Sequence, residues 1–151
     1  LHQLTKLQLQ SIRQGRENLA VPGIIQTKYK KGFYMQAYRG SCHCGAISFS
    51  FEHESIDKGL RCNCSICRRK GAVMSAFTIQ PEAFSYQAEN GMLGLYQFDT
   101  NIAKHYFCKN CGIYPFHQTL RKPGQYRVNL GCIDEVDTTA ISIELFDGKS
   151  I

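Results

Sequence analysis

From Tyr38 onward the apolar residues recur mostly at every second position, the period of a strand with one buried face. Ala46-Ile47-Ser48-Phe49-Ser50-Phe51 sets Ile47, Phe49 and Phe51 on one side. Val73 to Ile79 predicts a second strand closed by Pro81, and Ala83 to Tyr86 a third, ahead of the turn pair Asn90-Gly91. Leu93 to Phe98 and Lys104 to Phe107 predict two more, the latter running straight into Cys108. Tyr126-Arg127-Val128-Asn129-Leu130 alternates again, with Tyr126, Val128 and Leu130 inward, and Ile141 to Phe146 reads as the last strand. Residues 53–61 are polar and read as a loop. There is no repeat at the length of a solenoid unit and no heptad run. The expectation is a mainly β domain of several antiparallel strands, with cysteines at strand ends.

The first 34 residues do not share this pattern. Leu4, Leu7, Leu9 and Ile12 permit a short helix, which Gly15 and the Val21-Pro22-Gly23 turn would end. No apolar stretch followed by a small-residue cleavage site marks a secretory signal. Residues 1–34 are therefore read as a basic leader outside the fold, an extension or added segment with translation starting at Met35. Residues 35–151 are read as a single domain.

Charge follows the same division. The net charge is +6, but Lys6, Arg13, Arg16, Lys28, Lys30 and Lys31 against Glu17 leave +5 of it in residues 1–34. The remaining 12 basic and 11 acidic residues nearly cancel, so the domain carries no general footprint for nucleic acid. A hydrophobic share of 43% with nine Phe and eight Tyr indicates a packed core. No apolar run approaches the ~18–20 residues that cross a bilayer. A soluble, cytoplasmic protein is expected.

Eight cysteines change the picture most. Seven fall into tight groups: Cys42-His43-Cys44, Cys62-Asn63-Cys64-Ser65-Ile66-Cys67 and Cys108-Lys109-Asn110-Cys111. Such short spacings favour metal binding in a reducing compartment over a disulfide framework. Residues two apart on an extended chain face the same way, so Cys42 and Cys44 can share a metal. The two-residue gap between Cys108 and Cys111 turns tightly enough to present both sulfurs, with Gly112 accepting the backbone angle that follows. Together these four make a closed site, while the triplet leaves a fourth position open to Cys132, a histidine, water or a substrate thiolate. A thiol arriving at such an open site would lose its proton and become a nucleophile toward an electrophile such as an aldehyde.

Several neighbours are candidates for lesser roles. Arg68, Arg69 and Lys70 could offset the charge of three thiolates, hold the carboxylates of a ligand, or simply be solvated. Ser65 could donate to a sulfur. His43 should point away from the metal by strand alternation, and His105 reads as structural. His117 could face a pocket or donate a proton, and Asn129 could reach a pocket or be a surface amide. Cys132 reads as a buried apolar cysteine.

At these residues the chain resembles the glutathione-dependent formaldehyde-activating enzymes, which share their domain with centromere protein V. The likeness rests on Gly40-Ser41-Cys42-His43-Cys44-Gly45, Cys62 to Arg69, Phe107-Cys108-Lys109-Asn110-Cys111-Gly112 and Val128 to Asp134, and it spans about residues 36–148. The resemblance implies a β-tent fold with two zinc ions per chain. It implies that Cys42, Cys44, Cys108 and Cys111 hold a structural zinc, and that Cys62, Cys64 and Cys67 hold a catalytic one. It implies condensation of formaldehyde with glutathione to S-(hydroxymethyl)glutathione, a carbon–sulfur lyase reaction. Arg68, Arg69, His117 and Asn129 are the candidate substrate contacts.

The expected protein is thus a zinc-dependent carbon–sulfur lyase that forms or cleaves adducts of a small thiol. The alternative is a non-catalytic zinc module for protein or nucleic acid, with the leader as a basic arm. A metal-free set of redox thiols is a third reading.

Overall fold

The computed structural model describes residues 34–150; apart from Tyr34, the leader lies outside the described residues. Ten strands follow in chain order: β1 (Gln36–Ser41), β2 (Ile47–His53), β3 (Lys58–Cys62), β4 (Met74–Ser75), β5 (Phe84–Ala88), β6 (Leu93–Tyr96), β7 (Lys104–Cys108), β8 (Phe116–Gln118), β9 (Tyr126–Val128) and β10 (Ser142–Phe146). One short helix, α1 (Cys67–Lys70), lies between β3 and β4. The strands form three sheets, ordered β1-β2-β5, β10-β3-β4 and β6-β7-β8-β9. Every pairing is antiparallel except β10 with β3. The mainly β expectation holds, with cysteines at strand ends.

The alternation of β2 does what its pattern dictates. Ile47, Phe49 and Phe51 are buried, and they meet Phe116 and Tyr126 of the four-stranded sheet across the core. The Phe116 ring lies at the centre, with the rings of Phe84 at 5.1 Å, Tyr106 at 5.3 Å and Phe49 at 5.9 Å between centroids. Edge and tilted packing of this kind favours aromatic pairs beyond simple burial. Tyr126, Val128 and Leu130 all point inward as their pattern requires.

Four expectations need correction. Residues 53–61 are not wholly loop, since Lys58–Cys62 is β3, paired in parallel with the C-terminal strand. Its sequence has little strand character of its own; the neighbours on both sides impose it. The stretch from Val73 to Ile79 gives only the two residues of β4 and an isolated bridge from Ile79 to Tyr126. Here side chains satisfy the backbone in place of a ladder. The buried Ser75 hydroxyl accepts from Val128 N and donates to Phe77 O, and the Arg127 guanidinium donates to the Ser75 and Phe77 carbonyls. β6 stops at Tyr96, because Asp99 and Asn101 adopt left-handed angles that turn the chain. β9 stops at Val128, and Leu130–Cys132 winds into a turn of 3-10 helix. β8, only three residues long after Pro115, was not foreseen.

Candidate metal centres and the adjoining cleft

The loop after β1 and the turn after β7 bring four sulfurs together. The Sγ atoms of Cys42, Cys44, Cys108 and Cys111 all lie within 4.8 Å of one another. Cys42 to Cys44 is 3.7 Å and Cys44 to Cys108 is 3.6 Å. A disulfide would need about 2.05 Å, whereas a tetrahedral zinc with ~2.3 Å bonds to sulfur has S–S edges of about 3.8 Å. The donor set therefore fits a thiolate-bound tetrahedral metal. Backbone N–H groups aim at the sulfurs as well, from Ile47 to Cys42 at 3.3 Å and from Cys111 to Cys108 at 3.5 Å. Gly112, at φ 74°, reverses the chain after Cys111 so that Gly112 N can donate to Cys108 O at 2.9 Å.

The thiols of this group have been driven apart in acidity. Burial pushes Cys42 up to about 12, against the Ile47 N–H that pulls it down. At Cys111 burial also raises the thiol, but N–H bonds from Ile113 and Cys44 and contacts with Cys108 and Cys44 bring it down to about 6. Four thiolates at such spacing repel unless a cation stands among them. A divalent metal would supply that cation.

Cys62 ends β3, Cys64 follows in the loop, and Cys67 opens α1, so that their three sulfurs also lie within 4.8 Å of one another. This set is partly exposed throughout, whereas Cys42 and Cys108 are buried. Cys132 belongs to neither group; it packs in the core. Burial, then the neighbouring Cys64 and Cys62, pushes the Cys67 thiol well up. Cys64 is lowered: burial raises it, but bonds from the Cys67 backbone and from the Cys67 and Cys62 sulfurs outweigh this.

The tail after β10 holds the triplet from outside. Asn63 Nδ2 donates to Asp147 Oδ1 at 2.7 Å, and Lys149 N donates to Asn63 Oδ1 at 2.9 Å. Gly148 passes so close that a Cβ there would stand 2.5 Å from Cys62 Sγ, which only glycine avoids.

A cleft of about 500 Å³ opens at the end of α1, two residues beyond Cys67; its wall includes Arg69, Lys70, Ile113, Tyr114 and Asn129, and none of the three cysteines. Arg69 is exposed, and its Nη1 donates to Ser65 O at 2.5 Å; Ser65 thus contributes its carbonyl. Arg68 is exposed and stands off the cleft wall. The Asn129 amide is committed to the backbone, donating to Tyr114 O at 2.9 Å and accepting from Gly131 N at 3.1 Å. His117 is not on the wall, but it connects to it through Tyr114, whose hydroxyl lies 2.6 Å from His117 Nδ1 and 3.1 Å from His105 Nδ1. His43 is exposed, as expected, but because it lies in the turn after β1 and not by strand alternation, and its neighbour Cys44 is exposed with it.

The two residues that sequence reasoning underrated are Lys70 and Tyr114. Lys70 Nζ sits 3.3 Å above the centre of the Tyr114 ring, an attractive cation–π geometry. One signal for Lys70 was present: it lies three residues after Cys67 on a helix, hence on the same face. Burial lowers Lys70 to about 8, while the nearby Cys67 charge raises it. Tyr114 is raised well above the usual phenol, first by burial and then by Cys67 and Cys64.

Burial and then the charge of Lys70 lower His105 to about 4. Burial, followed by His105, Arg127 and Lys70, lowers His117 to about 3. Burial favours the neutral form of both rings, and two neutral imidazoles suit the Tyr114 hydroxyl, which can donate to one Nδ1 and accept from the other. The folded chain therefore binds fewer protons here than the unfolded chain, whose histidines titrate near ~6.5. The stabilising contribution is present above that value and is lost as pH falls toward 4 and then 3. We expect the ring resonances of His105 and His117 in the native protein to keep neutral-imidazole NMR shifts at pH 5. Protonated shifts at that pH would contradict the arrangement.

Comparison with known proteins adds two findings. A family model described as glutathione-dependent formaldehyde-activating enzyme matches residues 37–149. The crystal structure of a Rhodobacter sphaeroides protein is similar at a TM-score of 0.62 and 35% identity, over 70% of this chain and 99% of that one. Among the described residues, no helix is long and apolar enough to cross a membrane.

Proposed function

The chain belongs to the glutathione-dependent formaldehyde-activating enzyme family, and from that premise we propose a zinc-dependent carbon–sulfur lyase that adds a small thiol to an aldehyde. The proposed reaction joins glutathione and formaldehyde to S-(hydroxymethyl)glutathione. The sulfur forms a bond to the aldehyde carbon, the C=O π bond opens, and the thiol proton ends on the new hydroxyl. The observation that carries this reading is the set of three clustered, partly exposed sulfurs beside a cleft.

In this reading Cys62, Cys64 and Cys67 hold the catalytic zinc, and Cys42, Cys44, Cys108 and Cys111 hold a second, structural zinc. Bound at the triplet, zinc would act as a Lewis acid that eases loss of the thiol proton. The residues of the chain do the rest. The wall formed by Ile113, Tyr114 and Phe107 shields the thiol from water on one side of the cleft. Lys70 and Arg69 offset the excess negative charge of three thiolates. His117 and Asn129 act indirectly, by holding Tyr114 from its hydroxyl and its carbonyl.

The addition also proceeds without a catalyst, so the test is a rate. Exchange NMR of formaldehyde and glutathione, with and without the zinc-loaded chain, should show adduct formation and breakdown accelerated by the protein. Identical exchange rates in the two samples would reject the enzymatic reading.

A further inference from the structure

Asn63 stands between two cysteines of the triplet, and three of its polar groups reach the segment that follows β10. Its backbone N–H donates to Phe146 O at 3.2 Å, its Nδ2 donates to Asp147 Oδ1 at 2.7 Å, and its Oδ1 accepts from Lys149 N at 2.9 Å. A backbone N–H can only donate, so Lys149 fixes the amide with its oxygen inward to that bond and its NH2 on the carboxylate. On the far side Ser150 Oγ donates to Asp147 Oδ2 at 2.6 Å. The bonds from Ser150 and Asn63 hold the Asp147 carboxyl below its usual range. β10 ends with Phe146 opposite Cys62, and the chain then continues over the sulfurs. A Cβ at Gly148 would stand 2.5 Å from Cys62 Sγ and 3.2 Å from Cys64 Cβ, so the backbone itself covers that side of two of the three cysteines.

A site of three sulfurs lacks the fourth that closes its neighbour, and its hold on an ion depends on how firmly the three are placed. Between the end of β3 at Cys62 and the start of α1 at Cys67, no strand or helix holds Cys64. The segment after β10 supplies that hold from 84 and 86 residues away. We propose that Asp147-Gly148-Lys149 is a strap that retains the metal at the triplet, with Asn63 as the positioning residue through which it acts. The proposal rests on the reading that Cys62, Cys64 and Cys67 hold a metal, and it adds the element that keeps the ion there. The strap fixes the spacing of Cys62 and Cys64 and denies solvent one side of the pair. Outer partners of this kind are worth roughly ten- to hundredfold in metal affinity. Asn63 and Asp147 are both exposed, so replacing them leaves the packed core intact.

The test is zinc release from the full-length, metal-loaded chain into an excess of the chromophoric chelator 4-(2-pyridylazo)resorcinol. Wild type should release two ions per chain in two phases, the three-sulfur ion first. Asn63→Asp sets a second carboxylate against Asp147, and should speed the first phase by roughly ten- to hundredfold while the second phase keeps its rate. Adding Asp147→Asn restores a donor opposite the new carboxylate, which still accepts from Lys149 N, and should return most of the wild-type rate. A merely structural asparagine would show no such rescue. Gly148→Ala, which pushes the strap off Cys62, should also speed the first phase alone. With cobalt(II) in place of zinc, the visible bands of the three-sulfur site should change in Asn63→Asp and return in the double variant. An Asn63→Asp chain that releases its first ion at the wild-type rate would overturn the strap and leave the metal reading of the triplet standing. So would a double variant no slower than Asn63→Asp, or two phases accelerated alike, which would mean a loosened fold. A wild-type chain that holds a single ion would reject the metal reading of the triplet and the strap with it.

Discussion

Replacing Cys67 by serine is expected to reduce glutathione–formaldehyde turnover by about a thousandfold, roughly 4 kcal/mol of transition-state stabilisation. Cys67 opens α1 and brings the third sulfur of the exposed cluster to the other two. A serine hydroxyl does not ionise near neutral pH and is a poor donor to a metal that favours thiolates. The remaining two sulfurs would hold the metal weakly or lose it. The fold should survive, because the Cys67 backbone bond from Gly71 N at 3.0 Å and the pairing of β3 on both sides do not involve the sulfur. Elemental analysis should find the metal content falling from two ions per chain to one, with an unchanged circular dichroism spectrum. Full activity in this variant would remove the triplet from the mechanism.

Replacing Cys108 by serine is expected to act on the fold rather than on turnover. Cys108 is fully buried at the end of β7, and its sulfur lies 3.6 Å from that of Cys44, 64 residues earlier. The four-sulfur site therefore ties the loop between β1 and β2 to the hairpin of β7 and β8. Structural zinc sites contribute on the order of 10–16 kcal/mol of apparent binding energy, which matches or exceeds the ~5–15 kcal/mol of a domain's whole stability. Loss of one ligand should leave the variant largely unfolded at room temperature, and prolonged chelation of the wild type should give the same result. Thermal melts followed by circular dichroism would show it. A Cys108→Ser chain melting within a few degrees of wild type would mean that the closed site holds no structural metal. The two serine variants thus separate the sites: one should remove chemistry and keep the fold, the other should remove the fold.

The hairpin linked to that four-sulfur group also explains where sequence reading stopped. Cys108 to Cys111 turns the chain between β7 and β8, and the resulting register sets His105 directly opposite His117. That pairing brings both imidazoles to the Tyr114 hydroxyl, and Tyr114 in turn supports Lys70. Nothing local distinguishes His105 or His117 from any other strand histidine. Their joint role depends on a register, and a slip of one residue would turn one ring to the opposite face. The same holds for β3. Lys58-Gly59-Leu60-Arg61-Cys62 has little strand propensity, and it becomes a strand only because β10 returns from 80 or so residues away to pair beside it.

What the sequence determined by itself is local. The grouping of seven cysteines into a pair, a triplet and a pair is set by spacings of one and two residues, which keep the sulfurs of each group near one another, whereas the union of the two pairs into one group of four spans 64 residues and waits for the fold. The inward faces of β2 and β9 follow from period-two alternation in the same way, and Cys132 went to the core as an apolar cysteine should. Tertiary structure alone decided which backbone segments pair, where Arg68, Arg69 and Lys70 point relative to the cleft, and that Asn129 serves the Tyr114 carbonyl. Those outcomes depend on contacts between residues far apart in the chain, whose energies exist only once the sheets have docked. The capacity to hold a metal is therefore foreshadowed by short spacings, while the surroundings that would select a substrate are set by strand register and packing.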